Sequence, residues 1–288
     1  MREEELLADF ERLREELSQI YDSEKAAAAK RQAMVARLLK DYQAGEISPE
    51  HLDEMMEAVV AEHEHTVTRI DQLGAALRNL LGLRGYGLED VHASIVSSTV
   101  PQLEPEWTAM ASRYLGHEML AVGPGTKTGM PIRYDNPREI GADRLVNAVA
   151  MRERFGGPAV CVDFGTATTF DVVSAEGEYL GGALMTGIEI SLEALSERGA
   201  RLPKVDLAPP KSVIGKNTID AIRSGVVFGY AGAIDAILRR LYDELGERTE
   251  VTATGGLAGL VVPYTEEIDR IDELLTLTGL RLLYERNS

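Results

Sequence analysis

The sequence predicts a mixed α/β fold from about residue 70 onward, preceded by an α-helical segment over residues 1–65. Three observations predict it. The run Cys161-Val162-Asp163-Phe164 is an apolar strand that enters a Gly165-Thr166-Ala167-Thr168-Thr169 loop and leaves through Phe170 to Ser174 as a second strand. Apolar runs of strand length alternate with amphipathic helical runs on both sides of that hairpin. Composition also shifts near residues 65–70: only Gly45 of the chain's 27 glycines lies in the first 65 residues. The expected organisation is a helical segment at 1–65, a partial first α/β domain at 66–150 and a second α/β domain at 151–288.

In the first segment Leu6, Phe10, Leu13, Leu17 and Ile20 follow the a/d rhythm of a coiled coil or helix hairpin. After Gly45 a second helix is announced by Ser48 as N-cap and Pro49 at the first helical position. Its apolar face is Leu52, Met55, Met56, Val59 and Val60. Eight basic and seventeen acidic residues give this segment −9 of the chain's net −17. The acidic runs read as a solvated face. His63 and His65 do not share a helical face and have no third ligand at a useful spacing, so a metal site is not expected there.

From Gln72 to Leu83 the leucines and alanines mark an amphipathic helix, broken by Gly85 and Gly87. Ala93–Ser98 reads as a buried strand, Pro105–Tyr114 as a short helix and Met119–Val122 as the next strand. The loop Val122 to Gly129 lacks the P-loop spacing and has Pro131 where a helix should begin, so a turn or substrate-rim loop is expected. Leu145–Phe155 is a helical run. After the hairpin, Gly181-Gly182-Ala183 leads to a helix from about Ile188 to Glu197. Thr218–Leu245 forms one or two long helices, Val251–Thr254 a strand that ends in Gly255-Gly256, and a final helix begins near Thr276.

Charge and cysteine usage narrow the function classes. A net charge of −17 without a basic run argues against nucleic-acid or anionic-membrane partners. Cys161 is the sole cysteine and lies in an apolar strand, so neither a disulfide nor a cysteine metal cluster can form within one chain. The N-terminus is charged, and no run of about 18 apolar residues stands out as a span. A soluble, cytoplasmic protein is expected.

The chemistry is carried by the hairpin and two companions. Gly165 lets the backbone approach an anion, Thr166, Thr168 and Thr169 offer hydroxyl donors, and Asp163 stands at a strand end where a cation can offset phosphate charge. Gly and Thr are also ordinary hairpin residues, which is the competing explanation. Upstream, Tyr134-Asp135-Asn136-Pro137 leads into Gly141-Ala142-Asp143-Arg144. Asp143 stands ahead of a helical run, where it can cap the helix that follows. Downstream, the strand Val251–Thr254 ends in Gly255-Gly256, a pair that suits a tight strand-to-helix turn.

Taken together and in this order, these motifs, with Asn217-Thr218 and Ser224-Gly225, resemble type III pantothenate kinases of the actin, hexokinase and acetate-kinase superfamily. The likeness covers about residues 70–286. It implies duplicated ribonuclease-H-like domains, a homodimer, and ATP-dependent phosphorylation of pantothenate to 4′-phosphopantothenate, the first step of coenzyme A synthesis. It further implies Asp143 as general base and a substrate pocket lined by Tyr134, Gly141, Ala142, Asp143, Arg144 and Thr218, with Arg144 on the substrate carboxylate. Gly165, Thr166, Thr168, Gly255 and Gly256 would contact the nucleotide, and Asp163 would hold a monovalent cation, K⁺ or NH₄⁺, with Mg²⁺ arriving on ATP.

The sequence departs from the family pattern at its start. The family opens on a strand with Asp-x-Gly-Asn-Thr, its first phosphate loop, and residues 1–65 contain no Asp-x-Gly. The expected first domain is therefore truncated, with triphosphate binding weakened more than substrate binding. Met185-Thr186 and Arg223 are smaller departures. The alternatives are a non-catalytic homologue that binds pantothenate or nucleotide, or pairs with another chain, and an interaction module built on residues 4–60.

Overall fold

The computed structural model describes Lys40, residues 70–71, 74–75, 77–99, 104–199 and 202–288. The expected helix hairpin of residues 1–65 lies outside the described residues, Lys40 apart. Two compact units are present, residues 1–121 and 122–288. The second begins before the expected boundary at 150/151, because the helix that opens at Ala142 packs on the strands that follow it.

In the first unit, helical residues 77–83 end in a turn closed by Tyr86 N–H on the Leu81 carbonyl (3.0 Å). Strand β1 (Ile95–Val96) pairs in parallel with β2 (Leu120–Ala121). They are joined by helix α1 (Glu104–Met110), which runs on into a π-turn at Ala111–Leu115. Parallel neighbours need such a crossover. Both strands are shorter than the sequence suggests.

The second unit is built on one five-stranded sheet: β3 (Ala159–Phe164), β4 (Ala167–Val173), β5 (Tyr179–Thr186), β6 (Glu250–Thr254) and β7 (Arg270–Ile271), in spatial order β5-β4-β3-β6-β7. β4 is antiparallel to β3 and β5, whereas β3, β6 and β7 run parallel. Its helices are α2 (Ala142–Phe155), α3 (Ile188–Arg198), α4 (Thr218–Leu245), the short α5 (Ala258–Val261) and α6 (Leu275–Asn287). β5 was not legible as a strand, since glycines at 181 and 182 lower β propensity. The backbone explains them: a Cβ at Gly182 would overlap the Phe170 carbonyl oxygen of β4.

Register partners share a face of the sheet, and the two faces differ sharply in chemistry. On one face Val160, Val162, Phe164, Phe170, Val172, Val251 and Ala253 are buried against Ala231, Ile234 and Leu238 of α4 and Ala258 and Val261 of α5. Burying a side chain of this kind contributes about 1.5–3 kcal/mol, so this face is the stabilising core. On the other face Cys161 pairs with Asp171 and Thr252, and Asp163 with Thr169 and Thr254. That polar face lies under α2 and receives its side chains.

Helix α4 is long and apolar enough to span a membrane by length and composition, with a mean hydropathy of 1.4 over its best window. Its residues Ser224, Val227, Ala231, Ile234, Asp235 and Leu238 are buried at helical spacing, four of them apolar. Asp235 accepts backbone N–H bonds from Glu266 and Glu267 (3.0 and 3.1 Å). These features are those of a helix packed on a sheet.

Candidate active site

The parallel register of β3 and β6 sets Asp163 beside Thr254, so the residues after both strands emerge together. Gly255 follows with φ +89°, and a Cβ there would stand 2.5 Å from Asp163 Oδ1 and 2.7 Å from the Phe164 backbone. Only glycine fits that turn without displacing β3. The β3–β4 turn projects alongside: Gly165 N–H donates to the Ala167 carbonyl (3.1 Å), and Gly187 N–H holds the Thr166 carbonyl (3.1 Å). Gly165 and Thr166 are exposed, whereas Thr168 is fully buried on the apolar face with its hydroxyl unpartnered. Gly255 is half-buried and Gly256 exposed. A cleft of about 500 Å³ adjoins this turn at Leu257 and is also lined by Glu189, Glu193, Lys204 and Asp206.

Helix α2 supplies the second group. It starts at Ala142 with Gly141 as N-cap, so Asp143 sits in the first turn and is not the cap. Its carboxylate is favoured there by the helix dipole. Asp143 is half-buried and makes no hydrogen bond to protein among the described residues. One turn on, Asn147 is fully buried; its Nδ2 donates to Asp163 Oδ2 (2.9 Å) and its Oδ1 accepts from Thr276 (2.7 Å). Asn147 thus ties the helix that carries Asp143 to the strand end that carries Asp163.

Arg144 turns inward and is 7% exposed. Its Nε donates to Asp171 Oδ1 (2.7 Å), and its Nη2 is buried without a partner. Asp171, fully buried on β4, also accepts from Tyr179 OH (2.9 Å) and Thr169 Oγ1 (3.1 Å). The Asp171 charge, with a smaller contribution from Tyr134, holds the Arg144 guanidinium charged against its burial. The Tyr134 ring lies 6.2 Å from the Tyr179 ring and over Gly181, where a Cβ would be 2.9 Å away. Residues 131–134 are fixed as a strap on β5 through Arg133 N–H to Tyr179 carbonyl and Tyr179 N–H to Pro131 carbonyl (both 2.8 Å).

Thr218 stands apart from this cluster. It is exposed at the start of α4, where Asn217 caps by accepting Asp220 N–H (2.9 Å), and it lines a separate cleft of about 620 Å³ with Leu195, Leu202 and Lys216. No hydrogen bond among the described residues joins it to Tyr134, Asp143 or Arg144. Sequence reasoning missed Asp171, Asn147 and Tyr179. A lone Asp within Phe170-Asp171-Val172-Val173, and an Asn one helical turn after Asp143, were the available signals.

Electrostatics sorts the remaining groups. Burial, then the charges of Asp163, Asp171, Asp272 and Asp143, pushes the Cys161 thiol far up, so it is no nucleophile. Burial raises the Asp171 carboxyl from 3.8 to about 6, against the opposing pull of Arg144. The folded chain therefore takes a proton at Asp171 as pH falls through about 6, while the unfolded chain does so only near 3.8. The stability this group contributes is full below 3.8 and lost as pH rises through 6. Thermal melts should accordingly show the wild type gaining on Asp171→Asn between pH 7 and pH 5. A constant difference would mean that Asp171 titrates at its ordinary value.

The family model for type III pantothenate kinase matches residues 48–240. The type III pantothenate kinase of Moorella thermoacetica is 50% identical over 218 residues, 76% of this chain and 86% of that protein. Those of Koribacter versatilis and Geobacter sulfurreducens are 50% and 48% identical, over 76% and 75% of this chain and 80% and 85% of theirs. This chain belongs to the type III pantothenate kinase family.

Proposed function

We propose that the chain transfers the γ-phosphoryl group of ATP to the primary hydroxyl of pantothenate. The observation that carries this reading is the pairing at the start of α2 of an unbonded Asp143 carboxylate with a buried Arg144 whose Nη2 lacks a partner. Arg144 takes the substrate carboxylate, with Tyr134, Gly141 and Ala142 forming the wall. Asp143 accepts the hydroxyl proton as the alcohol oxygen bonds to phosphorus and the bond to the ADP oxygen breaks; positioned bases of this kind contribute about 10²–10⁴-fold. Gly165 and Thr166 approach the phosphates, and Gly255-Gly256 the nucleoside. Thr168 belongs to this set only if the turn opens, because its hydroxyl is shut inside.

Mg²⁺ enters with ATP. No group of three or more His, Cys, Asp or Glu suited to a metal occurs among the described residues. The carboxylate of Asp163, set beside the neutral Asn147 amide, therefore fits a monovalent cation, K⁺ or NH₄⁺, better than a divalent ion that takes several carboxylates. Such an ion would offset phosphate charge at the strand end.

Thr218 lines a cleft that does not include Arg144, an arrangement that fits a homodimer in which a second copy brings Thr218 to the pocket. The sheet order, with its second strand antiparallel, supports a ribonuclease-H-like domain. The parallel β1–β2 pair among the described residues is like the parallel β6–β7 pair, which supports a duplicated first half. A net charge of −17 favours a cytoplasmic enzyme with small-molecule partners, not nucleic acid or membrane.

A second reading, a binding protein without turnover, is favoured by the absence of Asp-x-Gly from residues 1–65. Incubation with ATP, Mg²⁺, K⁺ and pantothenate separates the two. Formation of ADP and phosphopantothenate is expected. Pantothenate binding by calorimetry with no product would leave the binding reading alone.

A further inference from the structure

We propose that Asp171, held by Tyr179 and Thr169, is the positioning residue for Arg144: it fixes the guanidinium through Nε so that Nη2 faces the substrate carboxylate, and it thereby sets the preference for an anionic substrate. This rests on the reading that Arg144 meets that carboxylate.

Three observations carry it. The first is the set of three bonds that one carboxylate accepts. Asp171 Oδ1 accepts from Arg144 Nε at 2.7 Å and from Tyr179 OH at 2.9 Å, and Oδ2 accepts from Thr169 at 3.1 Å. The carboxylate is therefore anchored by side chains from β4 and β5, and it pins a guanidinium from α2 to the sheet. The second is the orphan Nη2. A buried donor on a charged group is ordinarily paired, so an unpaired one marks a place for an acceptor. The third is the fork of arginine itself. With Nε committed, the guanidinium plane is fixed, and the direction of Nη2 follows from it.

A buried acid–base pair on a sheet can also serve stability alone. Stability alone, however, makes no distinction between a substrate that carries a carboxylate and one that does not. The discriminating pair is pantothenate and pantothenol, in which a hydroxymethyl group replaces the carboxylate. Both keep the hydroxyl that receives phosphate.

The experiment measures KM and kcat for both substrates in wild type, Asp171→Asn and Tyr179→Phe, each first shown to be folded by a thermal melt. Wild type should prefer pantothenate. Asp171→Asn should raise KM for pantothenate by about 10- to 100-fold, the value of a hydrogen bond to a charged group, while pantothenol barely changes and kcat moves little. Tyr179→Phe removes one hydrogen bond and no charge, so it keeps the test open if the asparagine variant does not fold. Its preference for pantothenate should drop by about a few-fold, because the lost bond reaches Arg144 only through Asp171. Variants that raise both KM values alike, or keep the wild-type preference, overturn this inference and leave the proposed function standing. A wild type that phosphorylates both alcohols equally well overturns the role of Arg144, and this inference with it; a wild type that phosphorylates neither overturns the kinase reading as well.

Discussion

Asparagine in place of Asp143 is expected to lower turnover by about 10²–10⁴-fold while calorimetry still detects pantothenate with near wild-type affinity. The substitution keeps the size and much of the polarity of the side chain but removes the proton acceptor. Its site is tolerant, because Asp143 occupies the first turn of α2 and forms no hydrogen bond with protein among the described residues. The only structural loss is a favourable first-turn charge, which is worth about 0.3–1 kcal/mol. In the proposed function substrate affinity rests mainly on Arg144, whose tie to Asp171 does not pass through Asp143. A loss confined to kcat would therefore identify a group that acts on the reacting hydroxyl. Unchanged turnover would remove Asp143 from the chemistry, and lost binding would make it a structural element of the pocket.

The same comparison of side chain and setting explains what the sequence made legible. Asp163 and Gly255 were each marked by a local pattern, a strand ending in a polar residue and a strand ending in a glycine pair. Their meeting depends on the parallel pairing of β3 with β6, a long-range fact that no window of sequence contains. The helix at 218–245 and the strand before Gly255 were readable because periodicity and turn chemistry agreed. β5 was unreadable because the glycines that let Tyr134 and the β4 backbone come close are the residues that weaken a strand signal. Asp171 was missed for a related reason. A single acid in a buried strand reads as a flaw until its three partners, drawn from α2, β4 and β5, are seen around it.

Alanine at Gly255 is expected to cost both stability and nucleotide affinity, because the turn after β6 is constrained from two directions. Its φ of +89° disfavours any side chain, and a Cβ would press on Asp163 Oδ1 and on the backbone of Phe164. Strained backbone and overpacking each cost on the order of 1–3 kcal/mol, and here relief requires β3, the central strand, to move. At about 2–4 °C per kcal/mol for a domain of this size, the melting temperature should fall by several degrees. The control is Gly259→Ala, four residues on in α5, where a Cβ meets nothing within 4 Å. That change should be neutral or stabilising by up to about 1 kcal/mol, as alanine is in a helix. ATP affinity should separate the two variants further. Displacing Asp163 disturbs the strand end proposed to offset phosphate charge, together with its bond to Asn147, whereas Gly259 touches neither. If Gly255→Ala melts and binds ATP like the wild type, the turn is not the close-packed nucleotide edge it is read to be, and the nucleoside must be sought in the cleft lined by Glu189, Glu193 and Asp206 without it.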